Sequence, residues 1–323
     1  MFLRVCFFIA AKVIIWGDFK NHACFRNSQD IKRKNMNNYK IYGEPIVDIV
    51  IEMGLGACIS EWETFATELG KSHGVLVYER AGINHSKKSD KERTPTNIAI
   101  ELKTLLDNVP HEEKIVIIGH SQGGLYASEF CGLYPEMIRR LILVDPLSKT
   151  DVRFKKELTP KELKQSGADK SKNFDILRIM TKLGLKGVIK KTMSQAPPFY
   201  YAGFTEEQRI DILNSYVNIT NLDTCREEYR LAHDESVLNK MVSKEDYPDI
   251  PIVLITHSSE EAIKENMEFG RNERSFAERV EELWQDIMKD YMDFSKNVTL
   301  IQADKSTHYI HLIEPEIIIS ACE

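Results

Sequence analysis

The sequence predicts an α/β protein: a mostly parallel, doubly wound sheet interrupted by a helical cap insertion. Three observations carry that expectation. Short apolar, β-branched runs alternate with amphipathic helical stretches through residues 36–147 and 249–323. One of those runs, in "KIVIIGHSQGGLYASEF" (114–130), passes through a Gly-x-Ser-x-Gly turn directly into helical spacing. Between 148 and 248 the alternation stops, and the chain becomes Lys/Glu-rich and helical in pattern with no strand-like run.

In chain order, "EPIVDIVIEMGLG" holds a strand at about 46–52 that runs into a glycine turn. "SEWETFATELGKS" reads as a helix, with Ser60 as N-cap and Glu63 three residues on, the spacing of a capping box. "HGVLVYERAG" is a second strand. "TPTNIAIELKTLLDNV" is an amphipathic helix carrying Ile98, Leu102, Leu105 and Leu106 along one side. "KIVIIGH" is the third strand, and its helix stops near Pro135. "IRRLILVDP", "DIPIVLITHSS" and "KNVTLIQAD" supply strands four to six. An insertion after the fourth strand lies at strand carboxyl ends, beside the usual ligand crevice of such sheets.

The 323 residues are 42% hydrophobic and 28% charged, enough for a large core. The net charge of −6, with both signs interspersed, gives no basic stripe for nucleic acid. Cysteines at 6, 24, 58, 131, 225 and 322 show neither zinc spacing nor a disulfide framework and read as reduced thiols, which suits a cytoplasmic protein. Residues 1–35 are expected to lie outside the catalytic fold and to be dispensable, with Met36 a candidate natural start. Their apolar run, 5–11, is too short to span a bilayer, so no stable membrane insertion is expected. The alternative is that this segment acts as a signal or anchor and the protein is secreted or membrane-associated.

The bare Gly-x-Ser-x-Gly pattern would occur by chance in roughly one chain in ten of this length; the strand before it and the helix after it give it weight. Cleavage of a carbonyl bond by serine needs an exposed hydroxyl, a base, an acid to orient that base, and two N–H donors for the oxyanion. A sharp strand-to-helix turn would expose Ser121, with Gly119 and Gly123 removing side chains that would collide with the neighbouring strand and helix. The Gln122 N–H is the natural first oxyanion donor. The second is expected from the Leu55 N–H in "EMGLGA", with Gly54 and Gly56 shaping the turn. The base belongs after the last strand, where "KSTHYIHLIEPE" offers His308 in a polar loop and His311 beside apolar residues; His308 is favoured. His120 is expected to pack in the turn. No step needs a metal or a cofactor.

These segments resemble the α/β-hydrolase superfamily over roughly 45–147 and 251–319. "EMGLGACISEW" resembles its oxyanion loop, and "VYERAGINHS" its Y-D-R-x-G-x-G-x-S turn with Glu79 in place of Asp. "GHSQGGLYASEFCGLYPEMIRRLILVDP" resembles the nucleophile turn, its helix and the next strand, and "STHYIHLIEPEII" the histidine loop. Ser121 argues against the dehalogenases and epoxide hydrolases of this fold, which usually carry Asp there. Most members place their acid after the strand that here ends in "THSSEE", which makes Glu260 one candidate. Asp145, directly after "RRLILV" and before Pro146, is the other and is favoured.

The resemblance implies a serine hydrolase with a helical cap at 148–248, an esterase in the broad sense. It would cleave a small ester, thioester or amide through an acyl-enzyme, using Ser121, His308 and Asp145. Phe199, Tyr200 and Tyr201 would either line an acyl pocket or pack the cap's own core. An acyltransferase using the same acyl-enzyme, or a ligand-binding protein of the same fold, are the alternatives.

Overall fold

The computed structural model describes residues 37–201 and 203–323. The N-terminal segment 1–35, with its candidate start at Met36, lies outside the described residues. Seven strands form one sheet: β1 (Tyr39–Gly43), β2 (Val47–Glu52), β3 (Gly74–Tyr78), β4 (His111–His120), β5 (Ile138–Val144), β6 (Ile252–Thr256) and β7 (Val298–Gln302). Their spatial order is β1-β3-β2-β4-β5-β6-β7. Every pairing is parallel except that of β1 with β3. The parallel sheet matches the sequence expectation, with one addition. "YKIYG" forms the antiparallel edge strand β1, which is too short and too exposed for periodicity to separate it from a turn.

The first three helices of the described chain are α1 (Ile59–Leu69), α2 (Pro95–Leu106) and α3 (Gln122–Leu133). Among the described residues of 148–248 there are helices and no strand: α4 (Arg153–Glu157), α5 (Pro160–Ser166), α6 (Ser171–Lys182), α7 (Lys186–Met193), α8 (Glu206–Ser215), α9 (Ile219–Leu231) and α10 (Glu235–Leu238). After β6 come α11 (Ser259–Gly270) and α12 (Arg274–Met288), and after β7 α13 (Ile310–Ile313) and α14 (Pro315–Cys322).

Alternation along the central strands builds a core on each face of the sheet. Val50, Ile115 and Ile117 face α2, α3 and α12, where Leu102, Phe130 and Ile287 meet them. Ile49, Ile51, Val116 and Ile118 face α1 and α14, where Trp62, Phe65 and Ile318 close the other layer. Helix α1 starts two residues earlier than its capping-box spacing suggests. Cys58 stands at its N-cap with no side-chain cap bond, and Ser60 instead donates to Asp211 of α8 (2.6 Å). A tertiary contact has taken the hydroxyl away from the cap.

Register fixes the rim of the sheet. His120 pairs with Val144, Val144 with Ile255 and Thr256 with Gln302. The residues that follow β4, β5 and β6 therefore leave the sheet side by side: Ser121, Asp145 and His257.

Candidate active site

Ser121 sits at φ +54°, ψ −128°, a backbone state that costs a non-glycine residue about 1–3 kcal/mol. The turn is held from both sides. The Ser121 N–H donates to Val144 O (3.1 Å), and its carbonyl accepts from Gly124 N (2.9 Å) and Leu147 N (2.7 Å). The flanking glycines are required by close approach. A Cβ at Gly123 would lie 2.2 Å from the Glu52 carbonyl oxygen, and one at Gly119 would lie 2.7 Å from the Ala127 Cβ. The turn thus wedges Ser121 between β2 and the start of α3.

Asp145 also has positive φ, +48°, and is buried. Its two carboxylate oxygens serve two histidines. His308 Nδ1 lies 2.6 Å from Oδ2, and His257 Nδ1 lies 2.7 Å from Oδ1, which also accepts the His257 N–H (3.1 Å). On its far side His257 Nε2 meets Glu281 of α12 (3.0 Å), and its ring lies 4.0 Å from that of Trp284. Both ring nitrogens of His257 therefore face carboxylates and both must donate. Burial would lower the pKa of His257, but the Asp145 charge and the bonds to Asp145 and Glu281 push it up to about 10. Burial would raise Asp145, but the His257 charge, the His257 bond and the His308 bond hold its carboxyl well below the usual range. Asp145 is thus a carboxylate that accepts the His308 Nδ1–H.

His308 is half-buried, in a loop tied down at several points. Its carbonyl bonds His120 Nε2 (2.9 Å), while Glu314 accepts from Lys305 N (2.8 Å) and Ser306 Oγ (2.6 Å). Ser121 Oγ and His308 are not hydrogen-bonded to each other in this structure; contacts of this kind often tighten only with substrate. Burial, then the neighbouring His308, lowers His120 to about 3, so it stays neutral. His311 is buried and stacked on Trp62 (3.8 Å, 4° between planes); burial drives it well below its ordinary value. Glu260 is exposed on α11 and paired with Arg274 (2.7 Å), and it bonds neither of the histidines that meet Asp145.

Leu55 lines the same cavities as Ser121. Its loop is aimed by Arg80, which donates to the carbonyls of Met53 (2.6 Å) and Gly54 (2.9 Å). Arg80 is itself gripped by Glu52 (2.7 Å) and by Glu228 of α9 (3.0 Å), all three buried. Gln122 is buried, its side-chain amide donating to Tyr126 (2.5 Å).

Two cavities meet at Ser121, sharing Leu55, Ser121, Lys170, His308 and Tyr309 as lining. One, of about 280 Å³, is bordered by Asp145, His257, Glu281 and Trp284. The other, of about 150 Å³, is lined by Phe174, Leu177, Met193, Tyr216 and Leu222 of the helical insertion. Phe199, Tyr200 and Tyr201 line neither. Phe199 packs against Cys58 and Ile212, Tyr200 is exposed, and the Tyr201 hydroxyl bonds Glu265. Of the two alternatives for these aromatics, Phe199 follows the packing one, and the cavity is lined instead by Phe174 and Tyr216 together with the aliphatic Leu177, Met193 and Leu222. His257 was also passed over by sequence reasoning, although it ends the strand beside the one that carries Asp145.

Among the described residues Cys58, Glu79 and Asp211 come close enough to share a metal ion, their donor atoms within 4.8 Å of one another. Their carboxylates already accept from Ser60, Asn84 and His85, so the cluster serves as a joint between the sheet and α8.

A family model described as alpha/beta hydrolase fold matches residues 49–179. A putative carbamate hydrolase RutD of Pseudomonas savastanoi pv. phaseolicola is 32% identical over 101 residues, covering 31% of this chain and 39% of that one. An AB hydrolase superfamily protein of Gibberella zeae is 24% identical over 274 residues, 83% of each. The chain spans between 29% and 42% of the length of three of the curated relatives it matches. Among solved structures, a putative acyltransferase from Salmonella enterica superposes with a TM-score of 0.65 at 16% identity, covering 88% of each chain. With the sheet order, the serine turn and these likenesses in hand, the chain has the α/β-hydrolase fold, and its residues 49–179 match that family's model.

Proposed function

We propose that the protein is a serine hydrolase acting on a small ester, thioester or amide. Ser121 Oγ attacks the carbonyl carbon, and His308 Nε2 takes the hydroxyl proton. The tetrahedral oxyanion is held by the Leu55 and Gln122 N–H groups. His308 then returns the proton to the leaving group, and water, activated by the same nitrogen, releases the acyl group. The observation that carries this reading is the 2.6 Å bond between His308 Nδ1 and Asp145, beside the strained turn of Ser121 on the rim of a shared cavity. Residues 148–248 act as a cap that supplies the acyl cavity but no reacting group. About 150 Å³ is the size of a void that holds one benzene ring, so an acyl group of roughly six carbons fits. The buried free thiols of Cys58, Cys131, Cys225 and Cys322 suit a reducing, cytoplasmic compartment.

The names of two relatives frame the test. RutD is named a putative carbamate hydrolase and the Salmonella protein a putative acyltransferase. A panel of p-nitrophenyl esters graded by acyl length, run with and without a competing alcohol, separates the two chemistries. Free acid as the main product in both conditions supports hydrolysis. Transfer to the alcohol as the main product supports the acyltransferase. No turnover of any ester would leave the ligand-binding alternative.

A further inference from the structure

The even mixing of charge read from the whole chain fails at one place. Residues 170–191, "KSKNFDILRIMTKLGLKGVIKK", hold seven basic residues and one acidic residue, in a chain whose net charge is −6. They form the hairpin of α6 and α7. Its turn carries an exposed apolar tip: Ile179 is 58% exposed, Leu183 71%, Leu185 42% and Val188 42%. Every residue from 182 to 188 is exposed, and nothing stands within 4 Å of where a side chain would begin at Gly184 or Gly187. Lys182 and Lys186 flank that tip and Lys191 and Lys172 lie further along the two helices; all four are exposed, and among the described residues none of the four has an ion-pair partner.

The inner side of the same hairpin has a different task. Leu177, Ile189 and Met193 are buried against Leu222 and Val217 of the insertion, and Phe174, Leu177 and Met193 line the cavity that reaches Ser121. One two-helix element thus presents leucines and unpaired lysines outward and the wall of the apolar cavity inward. No helix of the described residues is long and apolar enough to cross a membrane. An apolar tip flanked by lysines instead matches the pattern of a segment that lies in the interface of a bilayer bearing negative headgroups.

We propose that the α6–α7 hairpin docks the protein on an anionic phospholipid surface. Leu183 and Leu185 enter the headgroup boundary, and Lys182, Lys186 and Lys191 pair with lipid phosphates. The contact is peripheral and reversible. It places the acyl cavity one helix thickness from the lipid, so that amphiphilic substrates can be drawn from the surface. That last step rests on the hydrolase reading; the docking itself does not.

The test is flotation of the full chain with vesicles of phosphatidylcholine alone or with about one third phosphatidylglycerol. The wild type is expected to float with the anionic vesicles only and to lose binding at about 0.5 M salt. The pair Leu183→Ser/Leu185→Ser, and separately Lys182→Glu/Lys186→Glu, should each weaken binding about tenfold or more. Both pairs should hydrolyse a soluble short-chain p-nitrophenyl ester within about twofold of wild type, because neither touches the reacting groups. Ser121→Ala should float like wild type, which keeps failure of docking distinct from failure of the catalytic reading. Three results would overturn the proposal: no binding to anionic vesicles, binding that survives both pairs of substitutions, or a dimer in light scattering that the leucine pair dissociates, which would make the tip a contact between copies.

Discussion

His257 donates to Asp145 Oδ1 at 2.7 Å, the oxygen opposite the one that His308 occupies. Asp145 is therefore held between two imidazoles, and the second is anchored in turn by Glu281 (3.0 Å). Most members of the superfamily place their acid at the end of the strand corresponding to β6. Here His257 stands there, and the carboxylate that meets His308 follows β5. The doubly bonded imidazole supplies Asp145 with a donor and a positive charge, which keeps it ionised and oriented toward His308. We place His257 as a positioning residue that acts through Asp145.

This role predicts a graded response. His257→Ala removes both the ring donor and the charge and should lower kcat about 10–100-fold, the range for losing a buried outer partner of a site. His257→Gln can keep a donor at Asp145 and should recover most of that loss. KM should change little in either. Equal losses in the two variants, or losses confined to KM, would reduce His257 to a packing residue.

The acid itself is tested by a pair of substitutions. Asp145→Asn should preserve folding and lower kcat by about 10³–10⁴-fold. Glu260→Gln, which removes only an exposed pair with Arg274, should change kcat by less than about threefold. Steady-state kinetics showing the reverse order would move the acid to Glu260.

Stability should carry the signature of the same pair. The folded pKa of His257 is raised from 6.5 to about 10. Its contribution is therefore complete below about pH 6.5 and is lost as pH rises through about 10. Asp145 is depressed, so its contribution is present above about pH 4 and is lost only in strong acid. Calorimetry from pH 6 to pH 10 should show the wild-type Tm falling more steeply than that of His257→Gln. Parallel curves would mean that the imidazolium adds nothing to the fold.

The acyl cavity gives a specificity prediction. Leu177→Trp fills space lined by Phe174, Met193 and Leu222. It should lower kcat/KM for a hexanoyl ester about tenfold or more and leave an acetyl ester within about threefold. A uniform loss across the ester panel would place Leu177 in the fold and not in the selection of substrate.

Much of this architecture was legible in the residues. Apolar runs marked β2 to β6 because each is buried on at least one face and flanked by turn residues, and β7 because its apolar residues Val298 and Ile301 are partly covered by the core. Local chemistry also marked the Ser121 turn, because Gly119 and Gly123 are needed at fixed offsets from the serine. What escaped depends on contacts between segments far apart in sequence. β1 is an edge strand with only one neighbour. The Ser60 cap was lost to Asp211, 151 positions away. His257 acquires its charge from Asp145 and Glu281, 112 and 24 positions away, and no local pattern announces such a pairing. The acyl cavity is lined by Leu177, Met193 and Leu222 from three helices, which individually read as ordinary packing residues.

The central claim is that Ser121 is a nucleophile activated by His308, and covalent labelling tests it most directly. Intact-mass measurement after treatment with a fluorophosphonate should show one adduct per chain, on the tryptic peptide that contains Ser121. Ser121→Ala should show none, and Asp145→Asn should label more slowly than wild type by at least about 10²-fold. An unlabelled wild type, or an adduct of equal yield in Ser121→Ala, would contradict the account.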